Sequence, residues 1–297
     1  MTRFALTTIA LLTLLAAAAS AQDWDSYEIS PTEIRDGIWW MRGVGGNVVM
    51  SAGDDGALLV DGEYEQMGEK LAAAVRETTG DGPAYVISTH WHYDHVGGNA
   101  ALAAAGATIV AHENVRRRMA VEQTIELLEH VQPASPPAAL PAITFTDSLT
   151  LRFNGEEIVV FHPAPAHTDG DAIVHFLGAN VIHAGDVYFN CGYPFIDTSC
   201  GGRIDGVIDA VDAILALCDD ETVIVPGHGP LADRADLKTY RGVLAGFRDA
   251  IAPLKAAGMS LEEAQAAGAT AEIDALWGDK MFPPDLFTSM VYLTLDP

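Results

Sequence analysis

Four side chains able to bind a metal ion fall within six consecutive residues, His90-Trp91-His92-Tyr93-Asp94-His95. This cluster constrains the chain more than any other stretch. The short apolar strand Tyr85-Val86-Ile87 leads into it, and Gly97-Gly98 permits a tight turn after it. From an extended backbone, His90 and His92 project the same way, and Asp94 and His95 then turn toward a neighbouring point. One tetrahedral zinc would be crowded by all four plus any outside ligand, and two adjacent ions account for the density better. Outside ligands are available in Ala166-His167-Thr168-Asp169-Gly170-Asp171, His183-Ala184-Gly185-Asp186 and Pro226-Gly227-His228-Gly229. Each follows an expected strand, where a loop can reach a shared edge.

The elements expected from periodicity are strands and helices in alternation. Strands are read at Asn47–Ser51, Ala57–Asp61, Tyr85–Ser88 and Thr108–Ala111, then at Ser148–Phe153, Glu156–Phe161, Ala172–Leu177, Asn180–His183 and Thr222–Val225. Helices are read at Tyr64–Thr79, Asn99–Ala105, Glu113–His130, Ile204–Leu217 and Arg234–Ala256, followed by a tail, Ser260–Pro297, that is mostly helical and then irregular. The proline-rich run Gln132–Pro141 is expected to join two halves of one fold. Two sheets covered by helices follow from this order.

His-x-His-x-Asp-His, a separate His, Gly-Asp and Gly-His-Gly, in that order, resemble the metallo-β-lactamase superfamily over nearly the whole chain from Ile29. The resemblance implies an α/β fold, a four-layer αββα sandwich with the metals at one edge. It implies two zinc ions per chain, with His90, His92 and His167 on one, Asp94, His95 and His228 on the other, and Asp186 bridging. It implies hydrolysis by a metal-bridging hydroxide that Asp94 helps to orient, without a serine or cysteine nucleophile. In the loop after Asp186, Asn190 or Tyr193 is the candidate donor to a developing oxyanion; packing of the loop aromatics beneath the site is the other reading. Trp39 and Trp40 are expected either to line the pocket or to pack in the core. His112 reads as a helix cap or site neighbour, and His130 as the end of a helix. His162, His175 and His183 read as hydrogen-bonded core groups, with a supporting role at the site open to His183.

Substrate class is less constrained. β-Lactamases with a cysteine on the second zinc do not match, because Asp186 takes that place. Those with an all-histidine pattern match at His95 but usually lack the bridging aspartate. Glyoxalase-II-like thioesterases and lactonases carry both His95 and Asp186. Export favours β-lactams as the leading small-molecule substrate class, hydrolysed weakly or promiscuously. Thioester, lactone or phosphodiester hydrolysis is the alternative, and a di-iron redox protein is the alternative of another class. His92 stands where di-iron members tend to carry Glu.

Export is read from Met1–Ala21, with Arg3, an apolar stretch Phe4–Ala19 and the cleavage-like Ala19-Ser20-Ala21. The expected mature chain, residues 22–297, is one periplasmic or secreted domain with no stable membrane association, its oligomeric state open. The formal net charge of −25 disfavours nucleic acid as a partner. The Arg116-Arg117-Arg118 patch reads as a solvated helix face. Of three cysteines, Cys191 and Cys200 bracket one loop, and no spacing rule demands that they pair.

Overall fold

The computed structural model describes residues 23–278 and 280–295. The expected leader, Met1–Ala21, lies outside them. Strands β1 (Thr32–Arg35), β2 (Ile38–Met41), β3 (Val48–Gly53), β4 (Gly56–Val60), β5 (Pro83–Ser88) and β6 (Thr108–His112) pair side by side in that order. The pairs from β1 to β4 are antiparallel, and β4, β5 and β6 are parallel. A two-stranded ribbon, β7 (Gln123–Ile125) with β8 (His130–Gln132), comes next. Strand β9 (Ile143–Phe145) then completes the first sheet beside β6. The second sheet runs β10 (Ser148–Phe153), β11 (Glu156–Phe161), β12 (Ile173–Phe176), β13 (Val181–His183) and β14 (Val223–Val225), antiparallel except for the last pair.

Both sheets are covered on both faces, which explains their unbroken apolar runs. Leu58, Val60, Ile87 and Val110 of the first sheet meet Ile158, Val160, Val174 and Val225 of the second. Their sequence neighbours Leu59, Val86 and Ile109 point the other way, onto Leu71 and Val75 of α1 (Gly68–Thr79). The short helices α2 (Tyr93–Val96) and α3 (Asn99–Ala104) follow β5, and Leu102 of α3 joins the same core. Past α4 (Glu113–Met119), Ile173, Ile182 and Ile224 pack on α5 (Ile204–Leu217), α6 (Arg234–Ala256) and the last helices. The layers are therefore helix, sheet, sheet, helix, the expected αββα sandwich.

Helix α6 starts where Asp233 accepts from the amides of Ala235 and Asp236, while Asp236 accepts from Asp233 in return. The tail forms α7 (Leu261–Ala266), α8 (Ala271–Trp277) and α9 (Pro284–Thr294).

Three expectations need correction. The helix expected over Glu113–His130 stops at Met119, and the β7–β8 ribbon replaces its second half. His130 is therefore a strand residue, with its ring centroid 4.6 Å from that of Tyr93. The proline run precedes the last strand of the first sheet, so the passage between sheets comes after Phe145. The arginine patch is not uniformly solvated. Arg118 clamps Asp169 with two bonds of 2.8 and 2.7 Å, and Arg116 donates to the Pro141 carbonyl, leaving Arg117 on the open face with Glu113. All three cysteines are free thiols. Among the described residues no helix is long and apolar enough to cross a membrane.

Candidate metal centre

The edge of the sandwich brings together every ligand candidate named from the sequence. His90, His92, His167 and Asp186 offer ligand atoms within 4.8 Å of one another, and Asp94, His95 and His228 do the same. Asp186 reaches both groups: its Oδ2 is 3.5 Å from His167 Nε2 and 3.4 Å from His228 Nε2, and its Oδ1 is 3.1 Å from His95 Nε2. Asp94 Oδ2 lies 3.3 Å from His228 Nε2.

The backbone explains this convergence. His90 and His92 follow the end of β5, and Asp94 and His95 lie in α2. The Asp186 loop leaves β13 and the His228 loop leaves β14, parallel neighbours in the second sheet. Asn47 fixes the His228 loop, donating through Nδ2 to the Pro226 and Gly229 carbonyls at 2.9 Å each, with Trp40 Nε1 donating to its Oδ1. His183 joins the same knot through Nε2 to the Asn47 carbonyl at 3.1 Å. Gly227 must be glycine, because a Cβ there would collide with Asp186 Oδ1. Gly46 is likewise pressed against the His95 ring.

The hydrogen-bond network assigns the imidazole tautomers. His92 Nε2–H donates to Asp197 at 3.1 Å, leaving Nδ1 bare. His167 Nδ1–H donates to the Phe195 carbonyl at 2.7 Å, leaving Nε2 bare. These two bare nitrogens sit 2.9 Å apart. Thr89 commits its hydroxyl hydrogen to Asp61 and so accepts from His90 Nδ1 at 3.0 Å. His90 Nε2 is then a buried atom without a hydrogen bond, whereas Asp186 Oδ1 faces His95 Nε2 at 3.1 Å. Lone pairs converging in a dry site repel unless a cation lies between them. Nitrogen and carboxylate donors of this kind suit a borderline metal such as zinc, so the residues fit a metal pair.

Charge separates the two groups. Burial holds His90 well below the ordinary histidine range and His167 down at about 4. Burial also disfavours charge on His95 and His228, but Asp186 and Asp94 outweigh it, holding His95 well above its usual value and His228 up at about 9. For Asp94, burial is outweighed by His95 and His228, which bring it down to about 2.

Several buried carboxylates support the ligands and were not picked out from the sequence. Asp61 accepts from His95 Nδ1 at 2.8 Å and from the Thr89 amide at 2.7 Å. Asp197 holds His92. Asp171 accepts from the His167 and Thr168 amides and shapes that loop, its own pKa raised by burial to about 7. Glu63 accepts from the Gly45 amide and fixes the glycine loop beside Asp94.

The oxyanion donors expected from the sequence are directed elsewhere. Asn190 donates to the Pro230 and Leu231 carbonyls and braces the His228 loop. Tyr193 is fully buried, stacked on Phe287, and donates to Asp274 at 2.7 Å. The phenols that feel the charge of Asp94 are Tyr64 and Tyr93. Burial and then Asp94 raise both, Tyr93 to about 12, so both stay protonated. Trp39 and Trp40 pack on the two faces of the first sheet. His112 caps α4, accepting from the Asn114 amide.

The model of the metallo-beta-lactamase superfamily matches residues 41–228. The chain belongs to the metallo-β-lactamase superfamily. Among curated relatives, a metallo-beta-lactamase type 2 of Bacillus sp. strain 170 is 23% identical over 215 residues, 69% of this chain and 78% of the relative. A hydroxyacylglutathione hydrolase of Anaeromyxobacter dehalogenans is 27% identical over 183 residues, 61% of this chain and 59% of the relative. Among solved structures, a metallo-beta-lactamase from Pontibacter korlensis superposes with a TM-score of 0.62 at 19% identity, covering 73% of this chain and 99% of its own. One from Hirschia baltica gives 0.56 at 19% identity, covering 73% and 98%. At these identities the solved structures speak for the fold. Superfamily membership and the two ligand groups together make this a metallo-hydrolase scaffold with a metal-competent edge.

Proposed function

We propose that this superfamily member is an exported dinuclear zinc hydrolase that cleaves acyl bonds of small molecules. The observation that carries the reading is Asp186, one buried carboxylate within 3.5 Å of ligand nitrogens from both groups. A bound zinc pair would supply Lewis acidity and a water of lowered pKa.

The chain's own residues would do the rest. His90, His92 and His167 present bare nitrogens from one side, and Asp94, His95 and His228 complete the other. Asp94, 15% exposed, is the carboxylate facing the mouth. It is placed to hold an attacking water and to receive its proton. Tyr64 and Tyr93, whose protons burial and the Asp94 charge hold in place, are the hydroxyls electrostatically coupled to it.

β-Lactams remain the leading substrate class, supported by the curated relative of that name and by the leader-like Met1–Ala21. A thioesterase or lactonase is the second reading, favoured by Asp186 beside His95 and by the hydroxyacylglutathione hydrolase relatives. The test is a panel of a cephalosporin, a penicillin, a carbapenem, a lactone, a thioester and a phosphodiester given to zinc-loaded protein. Turnover of an acyl compound that is lost in His90→Ala and Asp94→Ala supports the reading. Cleavage of the phosphodiester alone, or of nothing despite bound zinc, contradicts it. Iron with oxygen consumption would replace it by redox chemistry. Cleavage after Ala21 and recovery outside the cytoplasm test the export.

A further inference from the structure

The superfamily match ends at His228, yet the later helices reach back to the metal centre through one turn, Lys280–Pro283, between α8 and α9. Phe282, half-buried, sits with its centroid 6.4 Å from Phe189 and 5.7 Å from Phe195. Those two rings lie directly on the ligands. Phe189 stacks on the His228 imidazole at 4.9 Å, and Phe195 is 6.1 Å from both His92 and His167. Met281 is 42% exposed, and its sulfur is 3.5 Å from Cys191 Sγ. Gly192, with φ +137°, packs so tightly under Lys280 and Met281 that a Cβ there would lie 2.7 Å from Lys280 Cβ. The turn is thus locked to the loop that follows Asp186. The Lys280 ammonium is turned over the Trp277 ring at 4.9 Å, and the next two residues of the turn carry a thioether and a phenyl. Beside Asp94 the surroundings are aromatic too, with Tyr93, Tyr64 and Trp24 in ring contact.

We propose that Met281 and Phe282 are specificity-determining residues. They form an apolar rim that receives the aliphatic or aromatic part of the substrate's acyl group, so that larger apolar acyl compounds are preferred over acetyl ones. The proposal rests on the acyl-hydrolase reading above for its chemistry, but its binding arm does not need turnover.

The probes are acetohydroxamate and octanohydroxamate, whose shared head group chelates metal, titrated calorimetrically into zinc-loaded protein. The para-nitrophenyl esters of acetate and octanoate are assayed alongside. The wild-type protein should prefer the octanoyl member of each pair by about tenfold, the size expected when part of an alkyl chain leaves water. Met281→Ser, at an exposed position that leaves the core intact, should lower that preference by about threefold, and Phe282→Ala by more. Absence of any chain-length preference in the wild type, or an unchanged preference in both variants, overturns the rim. A hydroxamate preference that falls in the variants while neither ester nor any acyl compound of the panel is cleaved retains the rim and removes the hydrolase reading.

Discussion

The two ligand groups lie side by side, joined by Asp186, but they meet a cation in opposite states. Burial holds His90 and His167 neutral, and His90, His92 and His167 each have one nitrogen tied, to Thr89, Asp197 and the Phe195 carbonyl respectively. Burial disfavours a proton as an alternative occupant at His90 and His167. Asp94, His95 and His228 form a charged group, in which carboxylates keep protons on the two imidazoles. The first group is preset for a metal, whereas the second must exchange protons for it. The supporting carboxylates divide less cleanly: Asp197 stands behind His92 of the first group, whereas Asp61 holds His95 of the second directly and His90 of the first through the Thr89 hydroxyl.

The largest effect is expected where the division is bridged. Asp186→Ala removes the ligand common to both groups, and kcat/KM for the best panel substrate should fall by roughly 10²–10³-fold. A loss below tenfold would mean that the groups work without the bridge.

Asp61→Asn and Asp197→Asn test the supports separately. Each should cost about 10–100-fold in zinc affinity, the first mainly at the Asp94–His95–His228 group, with a smaller loss at the other through Thr89 and His90, and the second at the His90–His92–His167 group alone. Competition with a chromophoric chelator reads both steps. Equal losses at both steps in either variant would erase the distinction.

Proton release sharpens the contrast at lower cost to the protein. At pH 7.5, His228, with its pKa near 9, still holds a proton, so zinc entering its group must displace it. His167, with its pKa near 4, is already bare. Calorimetry in buffers of different ionisation enthalpy should therefore detect roughly one proton or more released by His167→Ala, which keeps the second group. Little release is expected from His228→Ala, which keeps the first. The reverse pattern would invert the assignment.

The smallest effects concern the loop carrying His167. Arg118→Ala loses a part-buried bidentate clamp on Asp169 and should lower unfolding stability by about 1–2 kcal/mol. Arg117→Ala breaks an exposed pair and should stay within about 0.5 kcal/mol. Urea midpoints of the two variants give the comparison.

These regions also differ in how far the sequence discloses them. The seven candidate ligands are legible because four share one short motif and the others follow strands, two of them next to a glycine. The helix over Arg234–Ala256 is legible because its apolar period runs for many turns behind a capping aspartate. The supports are not, because Asp61 lies 34 residues from His95 and Asp197 lies 105 from His92, and nothing local marks such pairs. Asn190 and Tyr193 mislead for the converse reason, since closeness to Asp186 along the chain does not keep a side chain near it once the loop turns into the core. The helix expected over Glu113–His130 is overlong, forming only to Met119, because charged residues beyond it suit either structure. Val121, Thr124, Ile125 and Val131, all β-branched, favour the ribbon that forms.

Native mass spectrometry of the zinc-saturated chain addresses the central claim most directly. The account predicts two zinc ions per wild-type chain, with one retained in His228→Ala and one in His167→Ala. A wild-type chain that takes up a single ion, or variants that still carry two, would contradict a shared dinuclear centre.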